Sequence, residues 1–377
     1  MSAQISLSPR IRKSPFYEAT LHEGALGFSV YNKMYLPIGY DDPETEFWAL
    51  VNDVTLWDVA VQRIVEITGP DAFKFTNMLT PRDLTKCKVG SCKYVLITDD
   101  CGGILNDPVL LRLAENHFWL SRADSDLLMW AKGVAVFAGL DVDIREPDVA
   151  ALQLQGPKSI DVVSKLFDPK ARDLKYYDFM ETTLLGSPVI LARTGWSAER
   201  GYEIYVRDTS QAHLIWMAIM EAGQEFNISP IAPNRIRRIE GGILDYGVDM
   251  TDATNPYEIG MDRLVHLNCE QEFIGEKALR QIESVGISRR LVGVFVDGEA
   301  LDYNETAWPA YSEDVEIGKL TSVVYSPRLK ANIGYVMANI QHSEIGTEIF
   351  IETINGIRKA HIVQMPFYDP KKDLSRM

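Results

Sequence analysis

Two segments of the chain share an alternation of apolar and polar positions that leads into a helical pattern. In residues 65–81, VEITGPDAFKFTNMLTP, Val65 and Ile67 alternate with polar residues before a Gly-Pro step. Residues 152–169, LQLQGPKSIDVVSKLFDP, follow the same plan. Alternation predicts a strand, and Pro is favoured in the first turn of a helix. The repeat therefore predicts two related modules of strand, turn and amphipathic helix.

Other elements follow from the same patterns. Residues 93–113 carry two apolar runs around Asp-Asp-Cys-Gly-Gly, which predicts a β-hairpin. Residues 127–140, LLMWAKGVAVFAGL, are interrupted by Lys132 and too short for a bilayer, so we interpret them as a buried helix. Residues 214–226 predict an amphipathic helix.

Beyond about residue 290 the pattern changes to short apolar runs split by Gly, Asn and Pro. Such a pattern is typical of an all-β module, either a small barrel or a sandwich. A mixed α+β body followed by a β domain is therefore the predicted organisation. The length of 377 residues agrees with two or three domains.

Charge and composition narrow the class of function. The chain has 38 Lys and Arg against 53 Asp and Glu, a net charge of −15. An acidic surface repels phosphate backbones and anionic lipid, so we expect neither nucleic-acid nor membrane partners. The N-terminal residues lack the apolar segment of a secretory signal. The cysteines at 87, 92, 101 and 269 form no paired framework, so we expect reduced thiols and a cytoplasmic location.

Common catalytic motifs are absent from the sequence. It has no G-x-G-x-x-G after a strand, no phosphate-binding G-x4-G-K-[ST], no H-E-x-x-H, no C-x-x-C and no G-x-S-x-G. The six His are scattered, so we expect no metal site. An enzyme with such a sequence is expected to act by holding two reactants together.

The stretch RTGWSAERGYEIYV at 193–206 places a single carboxylate among aromatic residues. If residues 201–206 form a strand, Glu203 and Tyr205 share one face and Tyr202 lies on the other. On a face that meets water, Glu203 would be an ordinary solvated residue. On a face that lines a cavity, its carboxylate could recognise a flat heterocycle rich in N–H groups.

Two further segments could carry chemistry. In GGILNDP, Asp107 directly precedes Pro108, which suits a side chain aimed at a site but also one that caps a turn. In RIRRIEGGILDYGVDM, a short helix with Arg235, Arg237 and Arg238 leads into a loop. These arginines could form salt bridges or bind an anion.

Taken together, these stretches resemble the glycine-cleavage T-protein (aminomethyltransferase) family from end to end. The resemblance implies an α+β fold, a three-domain cloverleaf around a central folate pocket. Two mixed α/β modules would comprise residues 1–50 with 150–250, and residues 51–149. Residues 251–377 would form a linker and a C-terminal all-β domain of barrel or jelly-roll type. The matching stretches include DVAVQRIVEITGPDA, GGILNDPVLL, LQLQGPKS, RTGWSAERGYEIYV, RRIEGGILDYGVDM, NPYEIGMDRLV, EFIGEKAL and TSVVYSPRLKANIGYV.

The resemblance assigns roles to residues of this chain. Glu203 matches the carboxylate that grips the pterin ring of tetrahydrofolate, the expected methyl-accepting co-substrate. Asp107 matches the central acid near folate N5, which we take as the catalytic residue. Arg238 would meet the folate tail or hold the domain junction. The remaining residues expected around the folate are Tyr202, Tyr205 and Trp196.

A departure from the family pattern bears on the donor. T-proteins carry Ser-His-Met where this chain has Ala60, Val61 and Gln62, which disfavours transfer from a lipoyl carrier protein. The chain resembles instead a branch that demethylates a sulfonium, through stretches such as VYNKMYLP and FWLSRADSD. This implies methyl transfer from dimethylsulfoniopropionate to N5 of tetrahydrofolate, without metal or redox cofactor.

The expected donor site has an aromatic and a polar part. Tyr31, Trp196 and Tyr205 could form a cage for the sulfonium, while Ser121 and Lys33 could bind the substrate carboxylate. Tyr31 and Ser121 could equally pack or cap.

Other functions stay open at this point. The donor could be glycine betaine, dimethylglycine or an aryl methyl ether, or the chain could be a non-catalytic folate-binding module. A homodimer is also compatible with the sequence.

Overall fold

The computed structural model describes residues 8–377. The chain divides into two compact units: unit 1 takes residues up to 64 and 146–234, and unit 2 takes residues 65–145 and 235–375. Residues 1–7, the start of the first predicted domain, lie outside the described part. The division into three domains stays a prediction.

The α-helices of the described chain are short. They are α1 (Tyr17–His22), α2 (Pro43–Asn52), α3 (Ala72–Met78), α4 (Leu127–Ala138), α5 (Ser159–Leu166), α6 (Ala212–Gly223), α7 (Arg235–Glu240), α8 (Glu276–Val285) and α9 (Asp373–Arg376).

Strands make up much of the rest. They are β1 (Phe28–Tyr31), β2 (Met34–Pro37), β3 (Val54–Asp58), β4 (Ile64–Thr68), β5 (Cys92–Tyr94), β6 (Ile97–Thr98), β7 (Ile104–Asn106), β8 (Val109–Ala114), β9 (His117–Ser121), β10 (Asp143–Arg145), β11 (Ala150–Gln155), β12 (Phe179–Leu184), β13 (Ser187–Ala192), β14 (Gly201–Val206), β15 (Ile228–Pro230), β16 (Arg289–Val296), β17 (Trp308–Ser312), β18 (Val315–Ser326), β19 (Ala331–Asn339), β20 (Glu348–Thr353) and β21 (Gly356–Val363).

Unit 1 is built on a sheet in the order β12-β13-β14-β11-β3-β15. Its neighbouring strands are antiparallel except β15, which runs parallel to β3. Leu152, Leu154 and Ile204 belong to one hydrophobic cluster with Ile215 and Trp216 of α6. Helix α6, predicted at 214–226, is thus confirmed as an amphipathic helix. Because side chains alternate along a strand, the residues between these leucines face the other side of the sheet.

The predicted repeat is confirmed, and glycine explains its turn. β4 leads into α3, and β11 leads into α5. Gly69 and Gly156 connect them with φ of +117° and +121°. A Cβ on Gly156 would lie 2.5 Å from the carbonyl oxygen of Asp53, so backbone approaches too closely for any side chain.

Unit 2 contains a sheet in the order β10-β4-β9-β8-β5 and the hairpin of β6 and β7. The hairpin predicted within 93–113 is therefore confirmed. The C-terminal part of unit 2 is a closed barrel with the strand order β16-β19-β18-β17-β20-β21. The all-β module predicted from about residue 290 is confirmed as a barrel that begins at Arg289.

Residues 127–138 form helix α4, but the prediction that this helix is buried is wrong. Leu127 and Ala131 are the fully buried residues of α4, whereas Val136 is 74% exposed and Phe137 is 91% exposed. The segment is apolar around most of its circumference, which normally indicates burial. The helix nevertheless packs through one stripe. Among residues 8–377, no helix combines the length and apolar character needed to cross a bilayer.

Two phenylalanines of unit 2 test this correction. Phe137→Ala should change the free energy of unfolding by no more than about 0.5 kcal/mol, because the ring is already in water. Phe75→Ala should cost about 3–5 kcal/mol, because Phe75 is fully buried in the core of the unit. Urea unfolding of both variants measures the difference. A comparable loss in the two would place Phe137 in a packed environment.

Candidate functional site

Glu203 lies in the middle of β14, on the face of the sheet opposite the hydrophobic core. It pairs with Gln153 of β11 and Ala192 of β13, and Gln153 in turn pairs with Trp57 of β3. The side chain of Glu203 is 3% exposed. The alternative of a solvated strand residue is therefore wrong.

Three donors within unit 1 hold the Glu203 carboxylate. Gln153 Nε2 donates to Oε1 at 3.0 Å. Thr194 Oγ1 donates to Oε2 at 2.5 Å, and the Tyr205 hydroxyl donates to the same oxygen at 3.3 Å. Burial raises the pKa of Glu203, and these hydrogen bonds oppose the rise because they favour the ionised form.

The loop between β13 and β14 carries Trp196 and is held by two glutamines. The Trp196 N–H donates to Gln153 Oε1 at 3.3 Å, and Ser197 Oγ donates to Gln155 Oε1 at 2.6 Å. Gly195 leaves room for the Gln155 amide, since a Cβ there would lie 2.2 Å from it. Trp196 is half-buried. Its backbone is fixed beside the residue that also binds Glu203.

Tyr202 and Tyr205 lie on opposite faces of β14, as alternation predicts. Tyr205 shares the face of Glu203. Tyr202 packs in the hydrophobic core of unit 1, and the Arg193 guanidinium carbon lies 5.2 Å from its ring centroid. The structure thus brings Tyr205, but not Tyr202, to the Glu203 carboxylate. A folate contact by Tyr202 stays a prediction.

Tyr31 and Lys33 lie at the β1–β2 hairpin. Asn32 and Lys33 form its two-residue turn, both with positive φ, 47° and 59°. Such a turn matches the twist of the flanking strands. Tyr31 is half-buried against the core of unit 1, whereas Lys33 is exposed. Their predicted roles toward the donor are untested by this arrangement.

Asp107 lies in unit 2, between β7 and Pro108. The Tyr94 hydroxyl donates to its Oδ2 at 3.0 Å. Burial, and then the nearby Asp245 carboxylate, raise the pKa of Asp107 to about 8. A carboxyl group of this kind changes charge near neutral pH, and the catalytic role of Asp107 stays a prediction.

Asn106 connects the Asp107 segment to the loop after β9. Its amide donates to the Ala123 carbonyl at 3.1 Å and to Ser125 Oγ at 2.7 Å, and its oxygen accepts from the Ala123 N–H at 3.1 Å. Ser121, the last residue of β9, is buried and pairs with Val109. Ser121 therefore lies close to the Asp107 segment in the sheet, and its role in binding a carboxylate stays a prediction.

Arg238 is fully buried within unit 2. It donates to Asp249 Oδ2 at 2.6 Å, to Ser322 Oγ at 2.8 Å and to the Ile243 carbonyl at 3.2 Å. Burial lowers its pKa, but the Asp249 and Asp245 carboxylates raise it by more. These contacts favour the salt-bridge alternative, with α7 joined to barrel strand β18. A contact with the folate tail stays a prediction.

The hairpin turn before β7 brings Asp99, Asp100 and Cys101 together, with potential ligand atoms within 4.8 Å of one another. Asp99 Oδ1 already accepts from the N–H groups of Cys101 and Gly103, at 2.9 and 2.8 Å. These bonds describe a turn closed by an aspartate side chain. They give no reason to assign a metal here.

Sequence reasoning missed four residues of these arrangements: Gln153, Thr194, Tyr94 and Asp245. A signal existed for Gln153, because LQLQ places amides at alternate positions of a strand whose other positions are leucine. Polar residues at regular positions in a buried strand indicate a polar face. Asp245 carried no comparable signal, since its influence on Asp107 arises only from the fold.

Two family models match the chain. The GCVT N-terminal domain matches residues 16–269, and the glycine cleavage T-protein C-terminal barrel domain matches residues 289–369. The second match coincides with the closed barrel. Together they cover most of the chain.

Similar proteins agree with this assignment. The chain is 36% identical to the dimethylsulfoniopropionate demethylase of Ruegeria pomeroyi, over 94% of this chain and 97% of that protein. It is 28% identical to the aminomethyltransferase of Bacillus cytotoxicus, over 89% and 93%. The crystal structure of the glycine cleavage system aminomethyltransferase T from Bartonella henselae superposes with a TM-score of 0.86 at 22% identity, covering 96% of this chain and 99% of that one.

The mixed α/β body and the C-terminal barrel are the two parts of the chain that the family models match. The chain belongs to the glycine-cleavage T-protein family. It is a tetrahydrofolate-dependent transferase, with tetrahydrofolate as co-substrate.

The raised pKa of Asp107 predicts how Asp107→Asn changes stability. The ordinary value is 3.8 and the folded value about 8, so the wild type loses stability as pH rises between them, while the neutral amide does not. The melting temperature of the variant relative to wild type should therefore increase from pH 5 to pH 8 and level off above. Thermal scans across this range measure it.

Asp100→Asn is the matched control, because Asp100 is exposed in the turn between β6 and β7, close to Asp107 in the sequence. Its melting temperature should stay close to that of wild type, since substitution of an exposed side chain usually changes stability by no more than about 0.5 kcal/mol. A difference for Asp107→Asn that does not change with pH would show that Asp107 ionises as an ordinary carboxyl.

Proposed function

We propose that the chain moves a methyl group from dimethylsulfoniopropionate to N5 of tetrahydrofolate, giving 5-methyltetrahydrofolate and methylmercaptopropionate. The observation that carries the proposal is the 36% identity to a dimethylsulfoniopropionate demethylase over nearly the whole of both chains. The other relatives named above are aminomethyltransferases at lower identity. Ala60 and Val61, both buried, stand where T-proteins carry Ser and His, which makes the lipoyl-linked reaction the weaker candidate.

The Glu203 carboxylate fits a pterin. A pterin presents a ring N–H and an exocyclic amino group side by side, and a carboxylate can accept both. Among the described residues, Oε1 of Glu203 accepts one hydrogen bond and Oε2 accepts two. A carboxylate offers about four acceptor positions. The 3.3 Å contact from Tyr205 is the longest of the three and is the one that a pterin donor would replace.

The reaction needs positioning more than activation. The S–CH3 bond breaks with its electron pair left on sulfur, the N5–CH3 bond forms from the N5 lone pair, and the proton on N5 then leaves. Sulfonium sulfur departs as a neutral thioether, so a nucleophile held in line with the methyl group suffices. Near-attack positioning can supply about 7–11 kcal/mol of the barrier.

Asp107 would stabilise the positive charge that develops in this reaction and accept the proton released from N5. Positive charge moves from sulfur to nitrogen and ends on the released proton. A carboxyl group with a pKa of about 8 can be ionised by a nearby cation and can then accept that proton. The hydroxyl of Tyr94 would hold the carboxylate in one orientation.

Aromatic faces would bind the sulfonium. Each can contribute about 0.5–2 kcal/mol to a desolvated cation. Within unit 1, Tyr205 contacts Glu203, and the Trp196 backbone is held by Gln153, which also contacts Glu203. Tyr31 is the third candidate. Ser121 and Lys33 remain the proposed partners of the substrate carboxylate.

An assay of the purified protein with tetrahydrofolate and separate methyl donors tests the function. The donors are dimethylsulfoniopropionate, glycine betaine, dimethylglycine and an aryl methyl ether. The reactions are run under anaerobic conditions, and the product measured is 5-methyltetrahydrofolate. We expect turnover with the sulfonium alone. Turnover with another donor would replace the proposed substrate, and folate binding without any turnover would favour a non-catalytic module.

Two variants separate binding from chemistry. Glu203→Gln should lower the affinity for 5-methyltetrahydrofolate at least about 10-fold, since a hydrogen bond to a charged group is worth about 1.5–3 kcal/mol and an amide cannot accept both pterin donors. Asp107→Asn should bind 5-methyltetrahydrofolate like wild type and lower kcat. Calorimetry and initial rates measure these effects. Wild-type affinity in Glu203→Gln would remove Glu203 from the folate site.

A further inference from the structure

Gln153 contacts two of the proposed site residues at once. Its side chain is 1% exposed. Its Nε2 donates to Glu203 Oε1 at 3.0 Å, and its Oε1 accepts from the Trp196 N–H at 3.3 Å. One amide therefore bridges the proposed pterin acceptor and the proposed wall of the donor pocket.

We propose that Gln153 is a positioning residue that couples folate binding by Glu203 to the placement of Trp196 against the methyl donor. The inference rests on the proposed function, because it assigns a role within the same site. It adds a residue that touches neither reacting atom and acts through two residues that would contact the pterin and the methyl donor.

Chemistry dictates the orientation of the amide. An ionised carboxylate only accepts, and a backbone N–H only donates. The amide nitrogen of Gln153 must therefore face Glu203 and its oxygen must face Trp196. Glutamine satisfies both partners, whereas glutamate lacks the donor and leucine lacks both groups. The position thus requires a side chain with one donor end and one acceptor end.

Packing keeps this bridge in place. Gln153 lies between Glu203 of β14 and Trp57 of β3 in the register of the sheet. The Trp57 indole N–H donates to Thr55 Oγ1 at 2.8 Å and so does not compete for the amide. A pterin that orders the Glu203 carboxylate would therefore also order, through Gln153, the backbone of Trp196.

Gln155, two residues further along β11, provides a contrast. Its amide contacts Ser197 Oγ and the carbonyls of Thr194 and Tyr202, so it holds the same loop without touching Glu203. Ser197→Ala removes one of these loop contacts and leaves the bridge from Gln153 intact. This variant is therefore the control for general loosening of the loop.

The test uses Gln153→Leu and Gln153→Glu in the full chain, with 5-methyltetrahydrofolate as the binding probe and initial rates as the second readout. Gln153→Leu should lower the affinity for the probe at least 10-fold and raise KM for the methyl donor, with a smaller change in kcat. Ser197→Ala should change both constants less than threefold.

Gln153→Glu gives a pH signature that a purely structural role would not produce. Two facing carboxyl groups cannot both ionise readily, so the pair would share one proton, and the protonated Glu could still donate to Glu203. The affinity of this variant for the probe should fall as the pH rises and the pair loses its shared proton. Wild type has no such pair and should not show this fall. In unit 1, Tyr205 is the titratable side chain that donates a hydrogen bond to Glu203. The other two donors to Glu203, Gln153 and Thr194, carry no charge.

The outcomes distinguish this inference from the proposed function. Wild-type affinity in Gln153→Leu, with affinity lost in Glu203→Gln, would overturn the role of Gln153 alone. Loss of the probe from wild type itself would overturn both. If Gln153→Leu fails to fold, the pH dependence of Gln153→Glu, which keeps the shape of the side chain, decides the question.

Discussion

The burial of one carboxylate governs the polar face of the unit 1 sheet. An ionised carboxylate away from water is unfavourable unless hydrogen bonds replace its hydration. Glu203 meets this requirement through donors from three places: the neighbouring strand, the preceding loop and its own strand. Of these donors, Gln153 is itself held by the Trp196 N–H, and the backbone of Thr194 is held by Gln155. The Glu203 carboxylate is thus oriented by contacts that the fold supplies without a ligand.

The same strand serves the fold and the site through its alternation. Tyr202 and Ile204 join the hydrophobic core, while Glu203 and Tyr205 face the other side. A shift of register by one residue would exchange these sets, placing a carboxylate in the core and Tyr202 and Ile204 on the face of the site. The antiparallel pairing of β14 with both β11 and β13 fixes the register. Stability of the core and geometry of the site therefore depend on the same backbone hydrogen bonds.

The sequence was sufficient to predict those elements whose structure depends on local patterns. The alternation before Gly69 and Gly156, the hairpin and the barrel strands depend on neighbouring residues, and all are present. Helix α4 could not be predicted in the same way, because its apolar composition does not reveal which stripe meets the sheet. Contacts between distant residues were also out of reach. Gln153 and Glu203 are 50 positions apart, and the Asp245 carboxylate that affects Asp107 lies in a loop that only the fold brings near.

Glu203 and Asp107 differ in how far their surroundings oppose the rise in pKa that burial causes. Burial raises the pKa of both, but Glu203 receives three hydrogen bonds that favour its ionised form, whereas Asp107 receives one from a side chain and also feels the charge of Asp245. Burial thus leaves the pKa of both groups raised, but with a different balance: hydrogen bonds oppose the rise at Glu203, whereas a second carboxylate adds to it at Asp107. Under the proposed function, this difference in surroundings is what would separate a residue that binds the pterin from one that responds to charge in the reaction.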